Sequence, residues 1–299
     1  MISPELTFNP MASLEQILAG ADDLPVLPQI ALRVAEIKDD SKASAAEIEK
    51  LIGMDQALAA RVLALANSDY YGMPRGISTL REAVVFLGVK TIRNLAAAVT
   101  AFNVFLGHSD TPALARRALW RHSVDAAQCA RAVTGLLSPA AQEAVGSDQA
   151  YVCGLLHDIG KLAIDRSHHA LLVSISETAR AHHVRFQEIE TEVTPFGHAQ
   201  IGSAIAVRWN LPPMICEAIA FHHTPRASEL NPKLTATICV ANEIAHFLEE
   251  ASRDDDQSVC LLQACHDAVI PLRISEECLY AMVRACRSDL STGLSVLAF

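Results

Sequence analysis

Apolar residues recur along this chain at helical spacing, and the alternation that marks a β-strand is nearly absent. One helical face after Ser44 carries Leu51, Met54, Leu58, Val62 and Leu65. Ser44 and Glu47 form a capping-box pattern, as do Thr79 and Glu82, and each pattern predicts a helix start. Gly88 predicts the end of the second of these helices.

Turn signals divide the rest of the chain into further helices. The pattern predicts helices at 91–105, at 112–135, from Ser147 through Lys161, and from His198, Pro212 and Asn231 onward. A turn-rich break at 107–112 separates an N-terminal helical subdomain, residues 1–107, from a second one, residues 108–250. An acidic loop at 254–256 lies in a C-terminal helical extension, residues 251–299, which carries two further helices. The sequence therefore predicts an all-α protein.

Composition supports helices and limits the range of partners. Hydrophobic residues make up 51% of the chain but aromatic residues only 5%, so Ala, Leu, Val and Ile must build the core. No apolar run reaches the roughly 18 residues that cross a bilayer, and the N-terminus lacks a secretory pattern. We therefore expect a cytoplasmic protein without membrane association. The net charge of −10 argues against broad nucleic-acid binding, although it allows a local basic pocket.

The eight cysteines show no Cys-x-x-Cys pair. Four of them lie among apolar neighbours, where a reduced thiol behaves as a small hydrophobic group: Cys129, Cys153, Cys216 and Cys239. A C-terminal group, comprising Cys260, Cys265, His266, Cys278 and Cys286, matches no zinc-site spacing. We interpret the cysteines as unreactive thiols.

The dipeptide His157-Asp158, within the segment 153–161, is the strongest chemical signal in the chain. An imidazole and a carboxylate are costly to bury side by side unless a partner satisfies them, and a divalent cation does this well. Further histidines follow in helical contexts, at His122, His198, His222 and His223. A single helical histidine is more often a surface or hydrogen-bonded residue, and we interpret the pairs at 168–169 and 182–183 as surface residues.

Adjacent residues of a helix point about 100° apart, so His157 and Asp158 can reach one ion only near a helix end. The remaining ligands must come from other helices. One or two divalent ions (Fe, Mn, Zn, Mg or Ni) would fit such a set. In a hydrolase the metal would acidify a bound water, with Asp158 in the catalytic set and Lys161 offsetting the charge of a phosphate.

These histidines resemble, in their order, the ligands of the HD superfamily of metal-dependent phosphohydrolases. Other segments resemble its HDOD signalling branch: Leu24–Pro28, Asp55–Leu63, Ala66–Ser68, Ile77–Gly88, Trp120–Ser123, Gly154–Gly160 and Trp209–Pro212. The resemblance covers residues 19–245. It implies a bacterial signalling module in which an N-terminal helical bundle packs on a modified HD-type helical domain. Most such modules are noncatalytic and act through protein contacts, so the resemblance implies a signalling protein as partner.

Three departures from catalytic relatives accompany the resemblance. Asn242 stands where HD hydrolases close the metal site with an aspartate, and a neutral amide is a weaker ligand for a hard cation. Ala118 replaces an acidic residue one turn before His122, and no Gly-Tyr-Pro segment follows His223. We therefore expect a noncatalytic regulatory module. Two alternatives remain: a metal-dependent phosphohydrolase or phosphodiesterase acting on a nucleotide or cyclic dinucleotide, and a noncleaving nucleotide sensor.

Overall fold

Every regular element in the described part of the chain is helical, which confirms the predicted fold class. The structure is a computed structural model that describes residues 42–53, 62, 79–89, 92, 113–208, 211–250, 261 and 263–293. Predictions on the break at 107–112, the loop at 254–256 and most of the helix at 91–105 lie outside these residues. The subdomain boundaries stay predictions.

The described helices, in chain order, are α1 (Lys42–Gly53), α2 (80–89), α3 (Ala113–Gly135), α4 (Pro139–Val145), α5 (Ser147–Leu156), α6 (Ile159–His182), α7 (Phe186–Val193), α8 (His198–Arg208), α9 (Pro213–Phe221), α10 (Pro232–Glu250), α11 (His266–Leu272) and α12 (Glu276–Gly293). A 3₁₀ turn at Pro225–Ala227 leads from α9 towards α10. None of the helices in the described ranges has the length and apolar character needed to cross a membrane.

The predicted helix starts are partly correct. Thr79 and Glu82 form the expected capping box, because the Thr79 N–H donates to the Glu82 carboxylate at 3.0 Å and the Glu82 N–H donates to the Thr79 hydroxyl at 3.1 Å. Asn231 caps α10 by accepting the Leu234 N–H at 3.1 Å. The prediction at Ser44 is wrong, since α1 already begins at Lys42 and Ser44 lies inside it.

The core of the described region forms where α3, α5, α10 and α12 meet. Trp120 is 4% exposed and lies in the same apolar cluster as Leu279 and Met282 of α12. Small residues bring α3 and α5 close together, because a Cβ on Gly154 would lie 2.8 Å from the Cα of Ala127. The C-terminal helix α12 thus shares one core with the histidine-bearing helices.

The cysteines and the paired histidines follow the sequence interpretation with one exception. Within the described residues the cysteines are free, and burial raises the pKa of the Cys265 thiol to about 12, which keeps it protonated. His168, His182 and His183 are exposed. His169 is only half-exposed, because its Nδ1 lies 2.7 Å from the buried carboxylate of Asp165.

The prediction of one helix from Ser147 through Lys161 is correct up to Leu156 and wrong in its later turns. Helix α5 ends at Leu156, His157 and Asp158 form a turn, and α6 begins at Ile159. Directly after this turn, Gly160 packs on the start of α8. A Cβ at Gly160 would overlap the carbonyl oxygen of His198 and lie 2.8 Å from the Gly202 nitrogen.

Replacing Gly160 with Ala should therefore destabilise the protein. We expect Gly160→Ala to lower the free energy of unfolding by about 2–3 kcal/mol, because the opposing atoms belong to backbone and cannot rotate away. Urea denaturation followed by circular dichroism measures the change. Gly135→Ala, near the end of α3, is the matched control, because nothing lies within 4 Å of its added Cβ. Equal stability of the two variants would contradict the close approach of α6 and α8.

Candidate metal centre

The Asp158 carboxylate lies at the centre of the predicted histidines, and its side chain is 1% exposed. Its Oδ1 lies 3.1 Å from His198 Nε2 and 3.8 Å from His222 Nε2. Its Oδ2 lies 3.5 Å from His157 Nε2 and 3.7 Å from His122 Nε2. Residues from α3, the α5–α6 turn, α8 and the end of α9 therefore converge on one carboxylate.

The His157 ring is held with its Nε2 lone pair towards the centre. Its Nδ1 lies 2.7 Å from the Gly154 carbonyl, which only accepts, so Nδ1 carries the hydrogen. Burial lowers the pKa of His157, so the ring is neutral and Nε2 is an acceptor. Nevertheless this Nε2 lies 3.1 Å from another acceptor, the amide oxygen of Asn242.

His222 is held in the same way at the end of α9. Its Nδ1 donates to the Ile219 carbonyl at 2.7 Å, and burial lowers the pKa of the ring well below its usual value. The buried Nε2 has no hydrogen-bond partner and faces Asp158. An unpaired buried acceptor is costly unless a cation or a donor occupies the space before it.

His198 differs because it lies between two carboxylates. Its Nδ1 lies 2.7 Å from Glu190 Oε2, and its backbone N–H donates to Glu190 Oε1 at 2.8 Å. Burial by itself would lower the pKa of His198, but Glu190 and Asp158 outweigh it and raise this pKa. The Nε2 of His223 lies 3.0 Å from His198 Nε2, which brings this predicted ligand to the edge of the cluster.

Asn242 lies between two of the predicted histidines. Its amide oxygen lies 3.0 Å from His122 Nε2 and 3.1 Å from His157 Nε2. Its amide nitrogen donates to Glu243 Oε1 at 3.3 Å, and Glu243 also pairs with Arg185. Because a carboxylate only accepts, Glu243 fixes which end of the amide faces the histidines.

Lys161 contacts the centre directly. Its ammonium lies 2.6 Å from Asp158 Oδ2 and 4.9 Å from the centre of the Phe186 ring. Burial alone would raise the pKa of Asp158, but His157 and Lys161 outweigh it and hold this pKa well below the usual value. In this geometry Lys161 neutralises Asp158 before any phosphate arrives.

These residues fit a divalent cation. The lone pair of His157 Nε2 faces the Asn242 oxygen and Asp158 Oδ2, and that of His222 Nε2 faces Asp158 Oδ1, with no hydrogen between these atoms, an arrangement that a shared cation relieves. Of three groups of potential ligands among the described residues whose atoms lie mutually within 4.8 Å, two belong to this centre, namely His122 with His157 and Asp158, and His198 with His222 and His223. Imidazole and carboxylate suit Fe, Mn, Zn or Ni better than Mg.

Sequence reasoning missed four residues that support the cluster: Arg185, Glu190, Glu243 and His246. His246 stacks on His122 with ring centroids 4.1 Å apart. Its position four residues after Asn242 puts it on the same helical face, and this spacing could have predicted that His246 lies near the cluster. Glu190 gave no such signal, because it reaches His198 across the turn between α7 and α8, which spacing does not predict.

A cavity of about 630 Å³ opens beside the centre between α3, α6 and α10. His122, Asp158 and Lys161 of the centre line it. Its walls include apolar side chains, among them Leu119, Leu172, Val184 and Phe186. Arg180 and Glu249 contribute charge along it, so a small polar molecule can approach the centre from this side.

The HDOD domain profile matches residues 24–225. The chain belongs to the HDOD family. A curated relative, an uncharacterised protein of Treponema pallidum, is 31% identical over 229 residues, covering 76% of this chain and 43% of that protein. The chain therefore spans less than half the length of this relative.

Solved structures share the HDOD fold. An HDOD domain protein of Geobacter sulfurreducens is 24% identical with a TM-score of 0.71, over 96% of this chain and 97% of its own. A proposed phosphohydrolase of Shewanella amazonensis is 24% identical with a TM-score of 0.68, and the match covers 94% of this chain and 96% of that structure. A proposed signal transduction protein of Marinobacter aquaeolei is 18% identical with a TM-score of 0.66, and the match covers 96% of this chain and 68% of that structure. At these identities the similarities establish the fold alone.

The contact between Glu190 and His198 predicts a role in metal affinity. Glu190→Gln should weaken binding of Mn²⁺ or Zn²⁺ about 10–100-fold, because a ligating imidazole loses the carboxylate that orients it. Calorimetric titration of the metal-free protein measures the change. Glu188→Gln is the matched control on the same helix, since the Glu188 carboxylate accepts the backbone N–H of Arg185 at an exposed position. Equal affinities of the two variants would show that Glu190 does not position His198 for a metal.

Proposed function

We propose that this HDOD protein is a noncatalytic regulatory module that acts through protein contacts and holds a single divalent cation at Asp158. The charge of the centre carries this proposal. Among the described residues around it, Asp158 is the carboxylate that faces the four imidazoles, and Lys161 already pairs with it at 2.6 Å. Asn242 adds an oxygen but no charge.

A two-metal hydrolase needs more negative charge than this centre supplies. Such enzymes hold two ions about 3.5–4 Å apart and clamp a phosphate between them. Two divalent ions bring four positive charges, and Lys161 adds a fifth. Asp158 is the carboxylate that the described residues place against the imidazole Nε2 atoms, whereas Glu190 contacts the far side of His198 through Nδ1. An amide in place of the late aspartate also lowers affinity for a hard cation. The centre is therefore suited to one ion and to structure rather than turnover.

The bound ion would connect helices that are distant in sequence. His157 and Asp158 follow α5, His198 begins α8 and His222 ends α9. An ion shared by these residues fixes their relative positions and stabilises the folded state by mass action. We propose that occupancy of the centre changes the surface offered to a signalling partner.

The proposal predicts metal-dependent stability without turnover. Saturating Mn²⁺ or Zn²⁺ should raise the thermal midpoint of the wild-type protein by several degrees, and Asp158→Ala should remove most of this rise, because it removes the inner ion. Neither protein should hydrolyse a cyclic dinucleotide or a nucleotide in the presence of Mn²⁺ or Fe²⁺, as measured by product chromatography. His182→Ala, an exposed histidine away from the centre, controls for nonspecific effects. Turnover by the wild type that disappears in Asp158→Ala would establish the hydrolase alternative instead.

The cavity favours a second candidate function, sensing of a small anionic ligand such as a nucleotide. Lys161 and Arg180 supply positive charge at separate points, and Phe186 offers an aromatic face. A phosphate near a cation at Asp158 and a base against the apolar wall would match this distribution.

Binding of a nucleotide to a variant that lacks the positive charge of Arg180 tests the sensor function. We expect Arg180→Ala to weaken binding of a nucleotide or cyclic dinucleotide about tenfold, because an anion loses a charged contact. Calorimetry of the metal-loaded protein measures this. Arg284→Ala, on the exposed side of α12, should bind like the wild type. Absence of binding by the wild type at millimolar ligand would eliminate the sensor function.

A further inference from the structure

We propose a second cation site, formed by His122, His246 and Glu249 between α3 and α10. One potential ligand atom from each of these residues lies within 4.8 Å of the others. His246 and Glu249 are three residues apart and share one face of α10, while His122 faces them from α3. We call this group the outer site, and the cluster around Asp158 the inner centre.

The orientation of the His122 ring supports the outer site. Its Nε2 lies 3.0 Å from the Asn242 amide oxygen, and Glu243 fixes that oxygen towards the ring. Because the amide oxygen only accepts, Nε2 carries the hydrogen and Nδ1 keeps the lone pair. This Nδ1 points away from Asp158, towards Glu249.

The lone pair of His122 Nδ1 is a second and independent indication of a ligand. His122 is 7% exposed, and its buried Nδ1 has no hydrogen-bond partner. Glu249 Oε2 lies 3.9 Å away, too far for a hydrogen bond but at a distance that an ion between the two atoms would span. The His246 ring, stacked on His122 at 4.1 Å, lies beside this gap.

The ligand types indicate a transition metal with an exchangeable position. Two imidazoles and one carboxylate hold zinc in sites that leave a fourth position to water or another ligand. Here that position would face the cavity, since all three residues line it. We infer Zn²⁺, Co²⁺ or Ni²⁺ as the cation, with a small anion from the cavity as its exchangeable ligand.

The outer site also defines what His122 does. A neutral imidazole has one lone pair, so His122 serves the outer ion, and the inner centre relies on His157, Asp158, His198 and His222. The His122 ring would then separate the ligands of the two sites, an arrangement that differs from the paired ions of two-metal hydrolases and is compatible with the absence of turnover that we propose.

Cobalt binding to the 299-residue chain tests the outer site. After metal removal, Co²⁺ is titrated with absorption and calorimetric detection, and bound metal is counted by elemental analysis. We expect His246→Gln and Glu249→Gln to bind one equivalent fewer than the wild type, or to bind it at least tenfold more weakly. His182→Gln, an exposed histidine near the end of α6, should match the wild type. Circular dichroism confirms that each variant is folded.

The inner variant Asp158→Asn separates this proposal from the proposed function. It should lose the inner equivalent and retain the one that depends on His246 and Glu249. Wild-type stoichiometry and affinity in both outer variants would overturn the outer site and leave the inner centre untouched. Turnover of a nucleotide would overturn the noncatalytic function without affecting the outer equivalent. A wild-type protein that binds no Co²⁺ would overturn both metal proposals.

Discussion

The backbone contact between α6 and α8 at Gly160 governs the geometry of the centre. Gly160 lies two residues after Asp158, and the atom it would strike with a side chain is the carbonyl oxygen of His198 itself. The same contact therefore sets the 3.1 Å distance between Asp158 Oδ1 and His198 Nε2. Gly202, within α8, leaves room for this approach because a Cβ there would lie 3.2 Å from the Gly160 nitrogen. Two glycines thus bring a carboxylate and an imidazole of different helices together.

Helix ends orient the imidazoles. The last carbonyls of an α-helix have no partner within the helix, and they must be satisfied by other donors. At the end of α5, the Gly154 carbonyl accepts from His157 Nδ1, and at the end of α9 the Ile219 carbonyl accepts from His222 Nδ1, three residues apart in each case. Each bond provides a donor for a carbonyl at a helix end, and it leaves the lone pair of the ring on Nε2. The same hydrogen bond therefore caps the helix end and orients the imidazole so that Nε2 can bind a metal.

The sequence predicted the helical fold, the family and the histidines that meet at Asp158, because helical periodicity and short motifs are local properties. It did not predict the break after Leu156, since an apolar segment followed by His157-Asp158 is equally compatible with one long helix. Glu190 and the pairing of Lys161 with Asp158 depend on how helices pack, which no spacing encodes. His246 could have been found from its position on the face of α10 that carries Asn242.

One face of α10 connects the inner centre to the outer site. Asn242 contacts the inner histidines, and His246 and Glu249 follow on the next two turns towards the cavity. His122 of α3 contacts this face at both levels, through Asn242 and through the stacked ring of His246. Helix α12 also packs on α3 within the same apolar core. A cation or anion bound in the cavity would therefore act on the packing of α3, and a regulatory module requires a coupling of this kind between its site and its surface.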